Sequence, residues 1–416
     1  MTITIHRGTD QIGGCVTEYE HEGWRLFVDY GEQLQGAPKS EPLQIEGLTH
    51  GNLSKSALLI THYHGDHIGH ITELPESLPI YMSRIGRDIQ QTASKHLASK
   101  IEKQKKIVER LKVVNTFTPG IEFSFGPFTI MPIIADHSAF DASAFKITVD
   151  NVSVFHTGDF RTHGFRSKML PNVIKKYIGH VDYVVCEGTN VARPDATSIS
   201  ERELQSQFEA AFREHKINII YLASTNIDRL FSLYHAASRA GRPFFVSSYQ
   251  KQIMDIVGGD PVWGKSKMYQ YSEQYAPREL QYDKDGDFRV SDKFLYLLEQ
   301  KGCVLIAQAS ERFDHLIECL PGEKQKYLSM WEGYINEEYD AYNKNLAHSL
   351  GNNYLYMHTS GHCDMKSVRE LFSLLQPSGI IPIHTNKPDD FVKLFGNDWP
   401  VIRLHDGESF MIKRMK

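Results

Sequence analysis

Apolar and polar positions alternate with a period of two at the start of the chain. Residues 2–6, TITIH, follow that pattern and predict a strand. Trp24–Asp29 (WRLFVD) is an apolar strand that ends in a carboxylate just before Gly31. Ala57–Ile60 reads as a buried strand and Pro79–Met82 as a short one. From Arg84 to Lys112 the period changes. Leu97, Ile101, Gln104, Val108 and Leu111 recur at the three-four spacing of one helix face, which predicts a long helical region. Its other face carries Lys95, Lys100, Lys103, Lys105, Lys106, Arg110 and Lys112. That face is either solvated surface or a rim that attracts a polyanion. Strand patterns then return at Phe128–Ile134, Ala144–Val149, Val152–Phe155 and Tyr183–Cys186.

The middle of the chain has a different rhythm. Ser200, with Glu203 three positions on, forms a capping box that opens a helix running to about His215. There follow a strand (Ile217–Ala223), a helix (Asn226–Ala240), a strand (Pro243–Val246), a helix (Gln250–Val257) and, later, a strand (Val304–Gln308). Alternation of this kind predicts a parallel α/β sheet. The polar stretch from Gly258 to Asp292 predicts no element. Short strands and helices resume from His358, include a strand at Gly379–Ile383, and finish at Phe410–Lys413. The expected organisation is a β-rich domain in two pieces, residues 1–195 and 356–416, interrupted by an α/β insertion at 196–355.

Composition narrows the class. The 416 residues are 41% hydrophobic and 23% charged, which is ordinary for a globular protein. The net charge of −5 excludes a generally basic nucleic-acid binder; any polyanion must meet a local patch or bound cations. Cys15, Cys186, Cys303, Cys319 and Cys363 are odd in number and show no CxxC spacing, which argues for a reducing compartment. The start MTITIHRGTD has neither the basic nor the apolar region of a secretory signal. No apolar run has the length a spanning helix needs. The expectation is a cytoplasmic protein without membrane contact.

The chemistry concentrates in Thr61–His70, THYHGDHIGH. Directly after a buried strand, His62, His64, Asp66 and His67 fall within six positions. A strand that stops and turns can point His62 and His64 at one point and Asp66 and His67 at another, which suits two metal ions held close together. Further ligands are needed. His137, Asp159 and His384 each follow an apolar strand and complete the set.

These residues resemble the motifs of the metallo-β-lactamase fold hydrolases. His62, His64, Asp66 and His67 match the HxHxDH motif, and His137, Asp159 and His384 match the later ones. The resemblance implies an αββα sandwich. It implies one ion on His62, His64 and His137, another on Asp66, His67 and His384, and Asp159 bridging them. It further implies that Asp29 supports the loop from behind. Two divalent ions are implied, zinc first given so many imidazoles, with manganese as the alternative. In such folds Asp66 orients the attacking hydroxide.

The insertion between Asp159 and His384 resembles the β-CASP branch of nucleic-acid nucleases. Glu187 in VVCEGTN matches its acidic motif, His362 its histidine motif and His384 its last motif. His358, Ser360, Gly361 and His362 resemble the HxSGH segment of ribonuclease J, and Ala223–Leu230 resembles a segment early in that family's inserted domain. The likeness extends along essentially the whole chain. It implies hydrolysis of RNA phosphodiester bonds, as an endonuclease or 5′-exonuclease, and the histidine at position 384 resembles RNA-directed rather than DNA-directed members. His362 would act as general acid with Glu187 fixing its tautomer. His358 and Ser360, and more weakly Ser310 and Arg312, would contact a substrate phosphate. His70, His156 and His163 are expected in supporting or structural roles. A homodimer is left open. The competing expectation is a hydrolase of a small ester, lactone or cyclic phosphodiester on the same fold.

Overall fold

The computed structural model describes residues 1–34, 37, 42–339 and 341–412. The chain divides into two compact units, Met1–Ser198 with Gly361–Lys416, and Ile199–Ser360.

The first unit contains two sheets. One has seven strands in the order Glu408–Met411, Thr2–Arg7, Val16–His21, Trp24–Val28, Ser56–Leu59, Ile80–Ser83 and Asn115–Phe117. The other has six, in the order Gly379–Ile383, Tyr183–Glu187, Val152–His156, Ser143–Val149, Phe128–Ile134 and Phe123–Phe125. Strand periodicity explains the layering, because alternate residues face opposite sides. Tyr183, Val185, Ile381 and Ile383 join Ile3, Ile5, Leu26, Val28, Ala57 and Leu59 in a core between the sheets. Val184, Cys186 and Ile380 point the other way and pack with Val368, Leu371, Phe372, Phe391 and Phe395, from the helices Met365–Leu375 and Pro388–Phe395. A strand buried on both faces reads as a continuous apolar run, as Tyr183–Cys186 does. The helix Arg84–Leu97 packs on the strands Ile80–Ser83 and Asn115–Phe117 of the first sheet. The unit is therefore layered helix, sheet, sheet, helix.

Strand direction positions the site. Val152–His156, Tyr183–Glu187 and Gly379–Ile383 run parallel. Phe128–Ile134 runs the same way, being antiparallel to Ser143–Val149, which is antiparallel to Val152–His156. Trp24–Val28 and Ser56–Leu59 are parallel in the first sheet. The residues that leave the carboxyl ends of these strands are therefore collected along common sheet edges.

The expected long helix over 84–112 is corrected. Two helices stand there, Arg84–Leu97 and Glu102–Leu111, because Ile101 adopts an extended conformation (φ −132°, ψ 110°). Leu97 and Ile101 are 38% and 45% exposed, so they are not core positions. The turn redirects the chain so that Ile107, Val108 and Leu111 are buried. Arg110, expected on the solvated face, is also buried and donates to the carbonyls of Pro75, Glu76 and Leu78. The final strand is Glu408–Met411; Lys413 lies outside the described residues.

The second unit carries one parallel sheet in the order Arg278–Glu279, Phe244–Val246, Cys303–Ala307, Ile217–Tyr221, Lys324–Leu328 and Tyr354–Tyr356. Ile217, Ile219, Leu305 and Leu328 pack with Phe313, Leu316 and Leu346 on one face, and Tyr327 meets Phe208 and Phe212 on the other. The capping box at Ser200 is formed in full. The stretch 258–292 holds two 3-10 turns and the two-residue edge strand Arg278–Glu279. Pieces that short leave no periodic trace in a sequence. All five cysteines are free thiols. Among the described residues no helix is long and apolar enough to cross a membrane.

Candidate metal centre

Each predicted donor leaves a strand end. His62 and His64 follow Ser56–Leu59, and the single helical turn Gly65–Ile68 then carries Asp66 and His67. His137 follows Phe128–Ile134, Asp159 follows Val152–His156 and His384 follows Gly379–Ile383. The tightness of the arrangement shows in the backbone. Asp29 (φ 62°) and His384 (φ 53°) are non-glycine residues in the left-handed region, a conformation that persists only where the surroundings over-determine it. A Cβ on Gly31 would fall 1.7 Å from the Asp66 carbonyl oxygen, so only glycine permits that approach.

Two groups of donors form. In the first, His64 Nδ1 lies 3.1 Å from His62 Nε2 and 3.2 Å from His137 Nε2. Ligand bonds near 2.0–2.1 Å give a tetrahedral edge of roughly 3.3 Å, so this spacing fits one cation. In the second, His384 Nε2 lies 3.3 Å from Asp66 Oδ2, and His67 Nε2 lies 3.6 Å from Asp66 Oδ2 and 3.2 Å from Asp159 Oδ2. Asp159 Oδ2 is also 3.9 Å from both His62 Nε2 and His137 Nε2, within reach of the first group. The donor atoms within each group all lie within 4.8 Å of one another. The buried His67 Nε2 has no aligned hydrogen-bond partner. A buried polar atom left so needs a reason, and a cation at the point where these lone pairs converge supplies one. The residues present therefore fit two metal ions.

The opposite nitrogen is held in four of the five rings. His67 Nδ1 meets Asp29 Oδ2 at 2.7 Å, and Asp29 also accepts from the Thr61 backbone N–H and hydroxyl. His62 Nδ1 lies 3.0 Å from Thr61 Oγ1, His137 Nδ1 lies 2.6 Å from the Gly361 carbonyl, and His384 Nδ1 lies 2.8 Å from Thr189 Oγ1. Such backing partners set tautomer and ring orientation. Sequence reasoning found Asp29 through the family resemblance. It missed Thr61, Thr189 and the Gly361 carbonyl, because a threonine or a peptide oxygen carries no distinguishing signal.

Beside the second group stands another pair. His362 Nδ1 is 3.0 Å from Glu187 Oε2 and 3.8 Å from Asp159 Oδ2. Glu187 is buried and also accepts from the Phe160 backbone N–H and the Thr189 hydroxyl. The His362 ring keeps 23% of its surface in solvent.

The titration behaviour follows the local charges. Burial holds His62 and His137 well below the usual histidine range and puts His64 at about 4. Burial also opposes charge on His67, but Asp159, Asp66 and Asp29 outweigh it and raise that ring well above the usual value. Burial acts against His362 as well, and Glu187 with Asp159 overcomes it, pushing the ring up to about 9. Asp66 and Asp159 are lowered despite burial, the first mainly by His67 and His384, the second by His384 and His67.

Among the other histidines, His70 pairs with Glu73 and His156 with the Tyr19 hydroxyl, so both stiffen their surroundings. Ser310, Arg312, His358 and Ser360 belong to the second unit. Ser310 caps the helix Glu311–Cys319, and Arg312 faces Asp287 at 3.6 Å and the Tyr282 ring.

A helix–sheet–sheet–helix sandwich with histidine and aspartate donors gathered at its strand ends defines a class of metal-binding fold. Residues 32–216 match the Beta-lactamase superfamily domain. The chain's relatives include a Ribonuclease J of Sinorhizobium meliloti, 23% identical over 391 residues, covering 88% of this chain and 64% of that protein. A Ribonuclease J of Mycobacterium tuberculosis is 26% identical over 254 residues, covering 58% of this chain and 43% of that protein. The chain thus spans less than two thirds of the length of these relatives. Among solved structures, a protein of unknown function from Enterococcus faecalis has the same fold, with a TM-score of 0.75, 19% identity and 99% of each chain covered.

Proposed function

We propose that this protein is a metal-dependent ribonuclease of the β-CASP branch, similar to ribonuclease J, working on RNA in the cytoplasm. The observation that carries the reading is the Glu187–His362 pair, set 3.8 Å from Asp159 and in one cluster with His384. A metal centre alone suits many hydrolyses. A histidine locked by a buried glutamate beside it suits one in which a poor leaving group, such as a ribose oxygen, must be protonated.

His62, His64 and His137 would hold one divalent ion and Asp66, His67 and His384 the other, with Asp159 between them. Zinc suits the imidazole-rich donors and manganese is the alternative. When bound, the ions acidify a water and offset the negative charge that develops on a phosphate under attack. Asp66, on the helical turn, would orient the attacking water by accepting a hydrogen bond from it. Glu187 accepts from His362 Nδ1, which leaves Nε2 to carry the proton that goes to the leaving oxygen. His358 and Ser360 would contact a substrate phosphate, with Ser310 and Arg312 as weaker candidates.

The test is digestion of end-labelled RNA by the purified full chain with added zinc or manganese. Cleavage is expected only with the ions present, and His362→Ala is expected to slow it strongly while metal content stays the same. The product ladder separates internal cutting from 5′-end removal. Turnover of a small phosphodiester as fast as RNA, with no effect of chain length, would favour the small-substrate hydrolase instead. RNA binding without cleavage across several divalent ions would overturn the assignment.

A further inference from the structure

The most deeply buried cation of the inserted unit, Arg229, takes no part in the chemistry above, and its position is costly. It lies in the first turn of the helix Ile227–Arg239, where the macrodipole disfavours positive charge. Its guanidinium is fully buried. Nε and Nη2 donate to the two carboxylate oxygens of Glu201 at 3.0 and 2.8 Å, a bidentate pair in which neither side chain has any exposed surface. Burying two charges rarely adds stability over an apolar pair of the same size, so a conformational purpose is the better account.

The remaining nitrogen indicates that purpose. Nη1 donates to Ser329 Oγ at 2.5 Å and faces His358 Nδ1 at 3.5 Å. Ser329 Oγ in turn donates to the Met357 carbonyl at 2.7 Å, the Met357 N–H binds the Leu328 carbonyl, and Thr359 Oγ1 donates to the Ile199 carbonyl at 2.6 Å. The residues on both sides of His358 are thus tied down, and the ring itself meets a group that can only donate. Guanidinium has no acceptor. A proton on His358 Nδ1 would face an N–H across 3.5 Å, so Nδ1 must be the lone-pair nitrogen and Nε2 must carry the hydrogen.

We propose that Arg229, clamped by Glu201, is a positioning residue that locks His358 as the neutral Nε2–H tautomer and so presents a fixed donor to a substrate phosphate. The second half of this statement rests on the ribonuclease reading; the first does not. A neutral donor held in one tautomer pays no reorganisation when the phosphate arrives, whereas a ring free to exchange tautomers presents a lone pair for part of the time.

The test uses the zinc-loaded full chain with 15N-labelled histidine and long-range proton–nitrogen spectra, the His358 signals being assigned with His358→Gln. The wild type is expected to show a neutral ring with an unprotonated Nδ1 and a protonated Nε2. Removing both charges together, as Glu201→Gln with Arg229→Met, avoids leaving an unpaired buried ion, and folding is checked by circular dichroism. In that double variant the two nitrogens are expected to move toward the averaged signals of mixed tautomers. In RNA cleavage its KM is expected to rise about 2- to 10-fold, the worth of one hydrogen bond, with kcat little changed. Arg229→Lys, which keeps a donor-only cation, should recover most of the wild-type KM. A wild-type ring protonated on Nδ1, a double variant with an unchanged spectrum, or a changed spectrum with an unchanged KM would each overturn the proposal. If the wild type cleaves no RNA, the ribonuclease reading falls while the spectra still decide the tautomer.

Discussion

Two buried charge clusters in this molecule are built on opposite rules. In the inserted unit, Arg229, Glu201 and Ser329 satisfy one another, with both carboxylate oxygens and all three guanidinium nitrogens engaged. In the two-sheet unit, seven donors from four strand ends converge, yet His67 Nε2 makes no aligned hydrogen bond and three imidazoles crowd together at 3.1–3.2 Å. A cluster closed on itself needs nothing more and acts by holding its neighbours still. One that leaves lone pairs pointing at a common centre is complete only with a cation there. The difference between structural and functional burial of charge is therefore whether the hydrogen-bonding capacity is used up inside the cluster.

Four substitutions break or sharpen this contrast, in descending size of effect. Asp159→Ala removes an oxygen within reach of both donor groups. Metal analysis is expected to fall from two ions per chain toward none, and RNA cleavage by more than about a thousandfold; a variant that keeps both ions would show that Asp159 is not shared between them. His362→Ala should slow cleavage by about 10²–10⁴-fold with metal content unchanged, since it removes the proposed proton donor and none of the proposed ligands; loss of a metal instead would make His362 a ligand. Arg229→Ala strips the buried Glu201 carboxylate of its bidentate cation, and urea denaturation should show about 3–5 kcal/mol of lost stability, against a much smaller loss when both partners are replaced. Equal losses in the single and double variants would mean that the pair is not the closed unit described above. Thr189→Val unties His384 Nδ1 and also removes a donor to Glu187, so metal affinity at the second group should weaken about 10- to 100-fold by competition with a chelator, with little change in melting temperature. Unchanged affinity would mean that the ring needs no backing.

Much of the fold could be read from pattern alone. The run Tyr183–Cys186 signals a strand buried on both faces, and Ser200 with Glu203 marks a helix start, because both signals are local. The break at Ile101 could not be read. Its residues fit the helical stripe, and only the position of the sheet beneath decides that the chain must turn there to bury Ile107, Val108 and Leu111. Arg110 was misread for the same reason: an arginine on a lysine-rich face becomes buried when three carbonyls lie within its reach.

What the sequence determined by itself is the inventory of the site. His62, His64, Asp66 and His67 announce themselves by type and spacing, and His137, Asp159 and His384 by following apolar strands, since a sheet delivers side chains at its strand ends. What only the tertiary structure decided is which nitrogen of each ring faces inward and what holds the other. Those contacts join residues as far apart as Thr189 and His384, or His137 and Gly361. A threonine hydroxyl or a peptide carbonyl becomes a partner through position in space, and position in space is set by the packing of both sheets together rather than by any stretch of neighbouring residues.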